Sequence, residues 1–171
     1  IVPFTDESLA LGRHPAALAV VYLLEALEEP KEAGPVLRFL QALGAIRNQQ
    51  GALWDESAVL VKHHTEYLKP REDGTEKRYG SLDGQSVLAE VVPGFDASAW
   101  SALPLAECIG RILQALEIDV HYPAHAESLI ELTQERAAQD FGRSGFLTHW
   151  HRKGHEQSIR VLPGPDAVRI L

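Results

Sequence analysis

The apolar positions near the start of the chain follow a helical period. From Pro15 to Leu27 they fall on more than one face, which is typical of a helix buried in the interior. Residues 35–47 carry apolar side chains at i, i+3, i+4 and i+7, the stripe of an amphipathic helix. Pro30 separates the two segments because proline cannot continue a helix. The sequence therefore predicts two adjacent helices joined by a short acidic turn.

Two more helices are predicted in the second half of the chain. One runs from Asp96 to about Glu117, with a possible break at Pro104. The other runs from Ala124 to Phe141, and Gly142 has the position of a helix C-cap. The prediction thus contains four main helices.

β-branched and alternating segments lie between and after these helices. Residues 57–68 and 86–92 read as strands on either side of a polar loop with an Asp-Gly turn, which predicts a hairpin near 58–92. A helix over residues 55–69 is the alternative for the first of them. The runs 158–162 and 167–171 alternate around a proline–glycine turn, and together with residues 146–151 they are expected to form strands within 146–171. The predicted fold class is α+β, with four main helices packed on small antiparallel sheets in a single domain over residues 1–171.

The charge of the chain argues against some classes of binding partner. The chain has 16 basic and 24 acidic residues, a formal net charge of −8. Nucleic acids and anionic membranes bind basic protein surfaces because their phosphates are negatively charged, so neither is expected as a partner of this acidic chain. The longest apolar run is too short to span a bilayer. The single cysteine, Cys108, excludes an internal disulfide and fits a reducing compartment, so we expect a cytoplasmic protein.

Histidines crowd into one segment near the end of the chain. His149, His151 and His155 are three of the eight histidines in the sequence. If residues 146–151 form a strand, His149 and His151 share a face, because strand side chains alternate. If the segment is a helix, His151 and His155 share a face at i, i+4 spacing. His151 and His155 therefore serve both interpretations, with His149 or His64 as the third ligand of a divalent metal, most plausibly zinc.

Two partial family resemblances involve these histidines. The run Thr148-His149-Trp150-His151-Arg152-Lys153-Gly154-His155 resembles the Thr-His-x-His-x-Asp-His zinc motif of metallo-β-lactamase-like hydrolases, but it lacks the aspartate and its last histidine comes one residue late. His151 and His155, together with His63-His64, are similar to the pattern of DinB/YfiT-like helical-bundle metal proteins. There an early helix supplies one histidine and the last helix supplies two.

The sequence leaves two hypotheses for function. The first is a divalent-metal-binding protein, with hydrolysis by a metal-bound water as the reaction that such a site would support. The second is a non-catalytic interaction or regulatory module that uses its helices to bind a protein partner or a second copy of itself.

Overall fold

The structure is a computed structural model, and it describes residues 10–52 and 54–157. Helices pack together with one antiparallel hairpin in this part of the chain, which confirms the predicted α+β class. The elements are α1 (Pro15–Glu28), α2 (Ala33–Gln49), α3 (Glu56–His63), β1 (His64–Pro70), β2 (Glu76–Leu82), α4 (Gly84–Val91), α5 (Ala97–Ser101), α6 (Leu105–Ala115), α7 (Ile118–His121), α8 (Pro123–Leu132) and α9 (Arg136–Arg152), with 3-10 turns at Leu11–Arg13 and Gly154–Glu156.

Helix α1 lies at the centre of the core. Val20, Val21, Leu23 and Leu24 are fully buried although they point in different directions around the helix. Burial on several sides requires several neighbours, and α1 contacts α2, α6, α8 and α9. The apolar residues on more than one face thus predicted a central helix correctly.

The hairpin forms where the Asp-Gly turn was predicted, but its first strand is shorter than predicted and both strands are shifted toward the turn. β1 and β2 pair antiparallel from His64 opposite Leu82 to Pro70 opposite Glu76. Gly74 adopts a φ of +86°, which glycine reaches without strain. Asp73 Oδ1 accepts a hydrogen bond from the Thr75 backbone N–H at 3.0 Å. These turn contacts set the register of the strands.

The outer parts of the predicted hairpin were wrong, because residues 57–63 and 86–91 are helical. Each helix begins at an aspartate N-cap: Asp55 accepts from the Ala58 N–H at 3.2 Å, and Asp83 from the Ser86 N–H at 3.2 Å. An N-cap supplies an acceptor to an otherwise unpaired first-turn N–H, and this contribution outweighs the modest β preference of the valines that follow.

The strand predicted over residues 146–151 was also wrong, because these residues belong to α9. Phe146 and Trp150 are 0% and 3% exposed, and their i, i+4 spacing places both on one buried helical face. The tryptophan therefore belongs to a 3.6-residue period and not to a two-residue alternation. The strands predicted over 158–162 and 167–171 lie outside the described residues.

The two later helices of the prediction are each divided. Asp96–Glu117 becomes α5 and α6, which are separated near Pro104 as expected. The chain leaves α8 at Thr133, whose hydroxyl donates to the Ile130 carbonyl at 2.6 Å. Within α9, Gly142 has φ 61° and ψ −138°, a kink that residues with a side chain rarely adopt. Nine α-helices therefore occur in the described residues where four were predicted.

Arg143 fixes the segment after this kink. Its Nε donates to Glu28 Oε1 at 2.5 Å, and its Nη1 donates to the Ser101 carbonyl at 2.7 Å. One guanidinium thereby joins α9 to the ends of α1 and α5. Within residues 10–52 and 54–157, no helix is both long and apolar enough to cross a bilayer.

Candidate functional site

The histidines of α9 point to different surroundings. The Nε2 of His151 donates to Glu25 Oε1 at 2.9 Å, and Arg38 Nη2 lies 3.3 Å from the other carboxylate oxygen. The His151 side chain is 62% exposed, whereas that of Glu25 is 14% exposed. His149 is half-buried beside Gly154 in the turn that follows the helix. His151 therefore belongs to an ion-pair network across α1, α2 and α9.

His155 lies beyond the end of α9, in the 3-10 turn. Its Nδ1–H donates to the Trp150 carbonyl at 2.7 Å, since a carbonyl can only accept. The neutral ring therefore keeps its free lone pair on Nε2, which lies 3.8 Å from Glu156 Oε1. A helix through both His151 and His155 was one of the two expected arrangements, but α9 ends at Arg152.

His64 lies in another part of the molecule, on β1. Its ring covers the Cα of Gly80 on β2, at a distance where an added Cβ would clash with Nε2. His63 immediately before it ends α3, and its Nε2 is 3.4 Å from Glu90 Oε2. Across the described parts of the chain, no group of three or more His, Cys, Asp or Glu side chains could hold a metal ion. The divalent-metal site at His149, His151, His155 and His64 stays a prediction.

An apolar groove adjoins His64 at the base of the hairpin. It has a volume of about 580 Å³ and lies between α2, α3 and one face of the hairpin. Its walls are mainly apolar, from Leu37, Leu60, Val61 and Leu82, with His64 and Glu66 at the strand side. A second groove of about 680 Å³, at the turn between α1 and α2, is lined instead by acidic and basic residues.

The hairpin projects from the helices as an arm, defined here as His64–Leu82. Among the arm side chains that the structure describes, only Leu82 is partly buried. Leu68 is 59% exposed and lies on the same face as His64 and Glu66, because it follows them at two-residue steps. Leu68 therefore adds an exposed apolar side chain to this face of the arm, beyond Glu66 and with Arg78 as its cross-strand partner.

A second cluster joins the start of α1 to α8. His14 is the N-cap of α1: its Nδ1 accepts from the Ala16 N–H at 3.0 Å. The ring centroids of His14 and His125 are 4.0 Å apart, and that of Tyr122 lies 4.9 Å from His14. The Tyr122 hydroxyl donates to Gln49 Oε1 at 2.9 Å, which ties the cluster to α2.

Burial sets the protonation of this cluster. Burial lowers the pKa of His14. The pKa of His125 is lowered to about 4 by burial and, to a smaller extent, by positive charge on the adjacent His14 ring. Both rings are therefore neutral at physiological pH. The pair cannot be predicted from the sequence, because His14-Pro15 marks the start of a helix but nothing local connects it to His125.

Cys108 is a buried core residue. Burial raises the pKa of its thiol, so the nucleophilic thiolate is disfavoured.

Comparisons with protein-family models, with curated proteins and with solved structures found no match.

Proposed function

We propose that the protein is a non-catalytic interaction module that self-associates through the arm and the groove at its base. The observation that carries the proposal is where the exposed apolar side chains lie. Within the described residues the large exposed ones are Leu37, Val61, Leu68 and Val120. Leu37 and Val61 line the groove, and Leu68 lies farther out on the face of the arm that begins at His64. Exposed apolar side chains gathered around one groove mark interaction sites.

The arm itself supports a second copy of the chain as the occupant. Leu68 follows His64 by four residues, which is about 13 Å at the usual rise of a strand. Both lie on the face that the groove opens onto. Two arms placed face to face and antiparallel would therefore bring Leu68 of each copy over the groove of the other. Such a reciprocal contact is the isologous arrangement of a two-fold dimer.

The net charge of the arm favours contact between two copies through their arms over contact through the rest of the acidic surface. Residues 64–82 contain four basic residues and four acidic residues, so the arm is neutral while the whole chain carries −8. Two copies therefore meet little net repulsion when their arms approach. Cover from a partner also suits the arm because an isolated two-stranded hairpin is only marginally stable in water.

Sedimentation or light scattering across a concentration series tests the proposal. We expect a dimer for the wild type, and a dissociation constant at least about tenfold higher for Leu68→Glu and for Val61→Glu, since burying a leucine contributes roughly 1.5–3 kcal/mol. Val120→Glu is the matched control, because Val120 is 69% exposed on α7 and does not line the groove.

All three substitutions are at exposed positions, so circular dichroism should show unchanged helix content. A wild-type protein that stays monomeric at every concentration reached would overturn the proposal. So would equal dimerisation of the Leu68→Glu and Val120→Glu variants. Association that only Leu68→Glu and Val61→Glu weaken would support it.

A further inference from the structure

The His14–His125 pair carries an inference that is independent of self-association. The hydrogen bond from Ala16 decides where the proton lies on His14. Because Nδ1 accepts that bond, the neutral ring carries its hydrogen on Nε2. A metal ion would have to displace this hydrogen in order to bind Nε2. A proton can bind only at Nδ1, where it replaces the hydrogen bond from the Ala16 N–H. The pair is therefore suited to respond to protons.

Protonation of either ring disrupts a contact that the fold uses. A proton on His14 Nδ1 would face the Ala16 N–H, so two donors would oppose each other and α1 would lose its side-chain cap. A proton on His125 would place a cation against the His14 ring at a centroid distance of 4.0 Å. Within the described residues, the Nε2 of His125 is buried and has no hydrogen-bond partner to stabilise that cation.

Within the described residues, no acidic side chain favours a positive charge on either ring. Tyr122 faces both rings from the start of α8, and its phenol is engaged with Gln49 of α2. Burial accounts for the lowered pKa of His14, and burial with the His14 charge accounts for that of His125. The ionisable side chains along the elements that meet there include Arg13 on the first 3-10 turn, Arg47 on α2, Glu117 and Asp119 on α7, Glu127 and Glu131 on α8, and His155 and Glu156 on the second 3-10 turn. None of them contributes to either shift.

We propose that His14 and His125 form a proton-operated clasp between the start of α1 and α8. Two neutral rings close the clasp, and protonation of either ring opens it. Opening frees the first turn of α1 and separates it from α8, while the buried remainder of α1 stays packed. The device would loosen this end of the molecule only where the pH is low enough to protonate the buried rings.

The sign of the pH dependence follows from the lowered pKa values. The unfolded chain binds a proton on each histidine below about pH 6.5, while the folded chain resists doing so, hence the stabilisation is present above that pH and is lost as the pH falls. With a folded pKa of about 4, His125 alone reduces the folding equilibrium constant about twentyfold between pH 7 and pH 5.

The direct test is an NMR titration of the histidine Cε1 protons in the wild-type protein, which needs no variant to fold. We expect the His125 resonance to stay in its neutral position down to about pH 5. Amide hydrogen exchange should show protection factors for Ala16 and Leu18, whose N–H groups bond to His14, that fall together with the protonation of the pair. A His125 resonance that titrates near pH 6.5 in the folded protein would contradict the clasp.

Variants separate the clasp from the general effect of acid. His14→Asn keeps a side-chain acceptor at the N-cap but removes the titrating ring, so protection at Ala16 should no longer depend on pH. His125→Phe keeps an aromatic ring in place and should remove most of the twentyfold change. His121→Gln, at a 45% exposed position on α7, should behave like the wild type. Equal pH dependence in His125→Phe and His121→Gln would refute the proposal.

Discussion

Two helical glycines offer a matched test of how tightly the core boundary is packed. Gly44 lies inside α2 and Gly110 lies inside α6. A Cβ added at Gly44 would lie 2.8 Å from Trp54 Cδ1 and 2.9 Å from its Nε1, whereas one added at Gly110 would meet nothing within 4 Å. The same substitution, glycine to alanine, should therefore have opposite effects at the two sites.

The magnitudes follow from two competing terms. Alanine in a helix interior is favoured over glycine by about 1 kcal/mol, because glycine loses more backbone entropy on folding. At Gly110 this gain stands alone, so Gly110→Ala should raise the free energy of unfolding by up to about 1 kcal/mol. At Gly44 the indole of Trp54 must move, and overpacking of this kind costs about 1–3 kcal/mol. Gly44→Ala should thus be neutral to about 2 kcal/mol destabilising.

Urea unfolding followed by tryptophan fluorescence measures both variants. With a slope of about 1–3 kcal/mol per molar urea, a change of 1 kcal/mol moves the midpoint by about 0.3–1 M. The midpoint should rise for Gly110→Ala and should fall or stay unchanged for Gly44→Ala. Displacement of Trp54 toward water should also shift the native emission of Gly44→Ala to longer wavelength. If both variants are stabilised equally, the contact between Gly44 and Trp54 is not as close as described.

Two other outcomes are expected. Phe146→Ala should lower the free energy of unfolding by about 3–5 kcal/mol, because the ring is fully buried, whereas Val120→Ala at a 69% exposed position should change it by less than about 0.5 kcal/mol in equilibrium unfolding. For the metal prediction, elemental analysis of the purified protein should find a stoichiometric divalent metal that His151→Ala loses; a metal-free protein whose stability is unchanged by a chelator would refute it.

The elements that local signals specify were predictable from sequence. In α1 the apolar positions alone indicate a central helix, and the Asp73-Gly74 turn indicates the hairpin. The helices α3 and α4 had local signals too, since Asp55 and Asp83 are each followed by residues whose N–H they cap. The caps indicate helices, whereas the β-branched residues that follow them indicate strands, and in the folded protein the caps prevail.

Contacts between distant segments were beyond what the sequence specifies. His14 and His125 meet only because α1 and α8 pack together. The sequence around either histidine gives no sign of the contact with the other. The same holds for the groove, whose walls come from α2, α3 and both strands. In the histidine-rich segment, the sequence identified the residues but not their partners, because Glu25 lies on the helix farthest away in the chain.

The central place of α1 also constrains the order in which the molecule can be completed during synthesis. Glu28 ends α1, and its partner Arg143 and the covering helix α9 are made more than a hundred residues later. At translation rates of roughly 5–20 residues per second, α1 leaves the ribosome several seconds before that cover exists. During this interval its apolar faces have only α2 and the later helices, as they appear, to shield them. The nascent chain is therefore exposed to chaperone binding between the synthesis of α1 and that of α9, and the last turn of α9 closes the core.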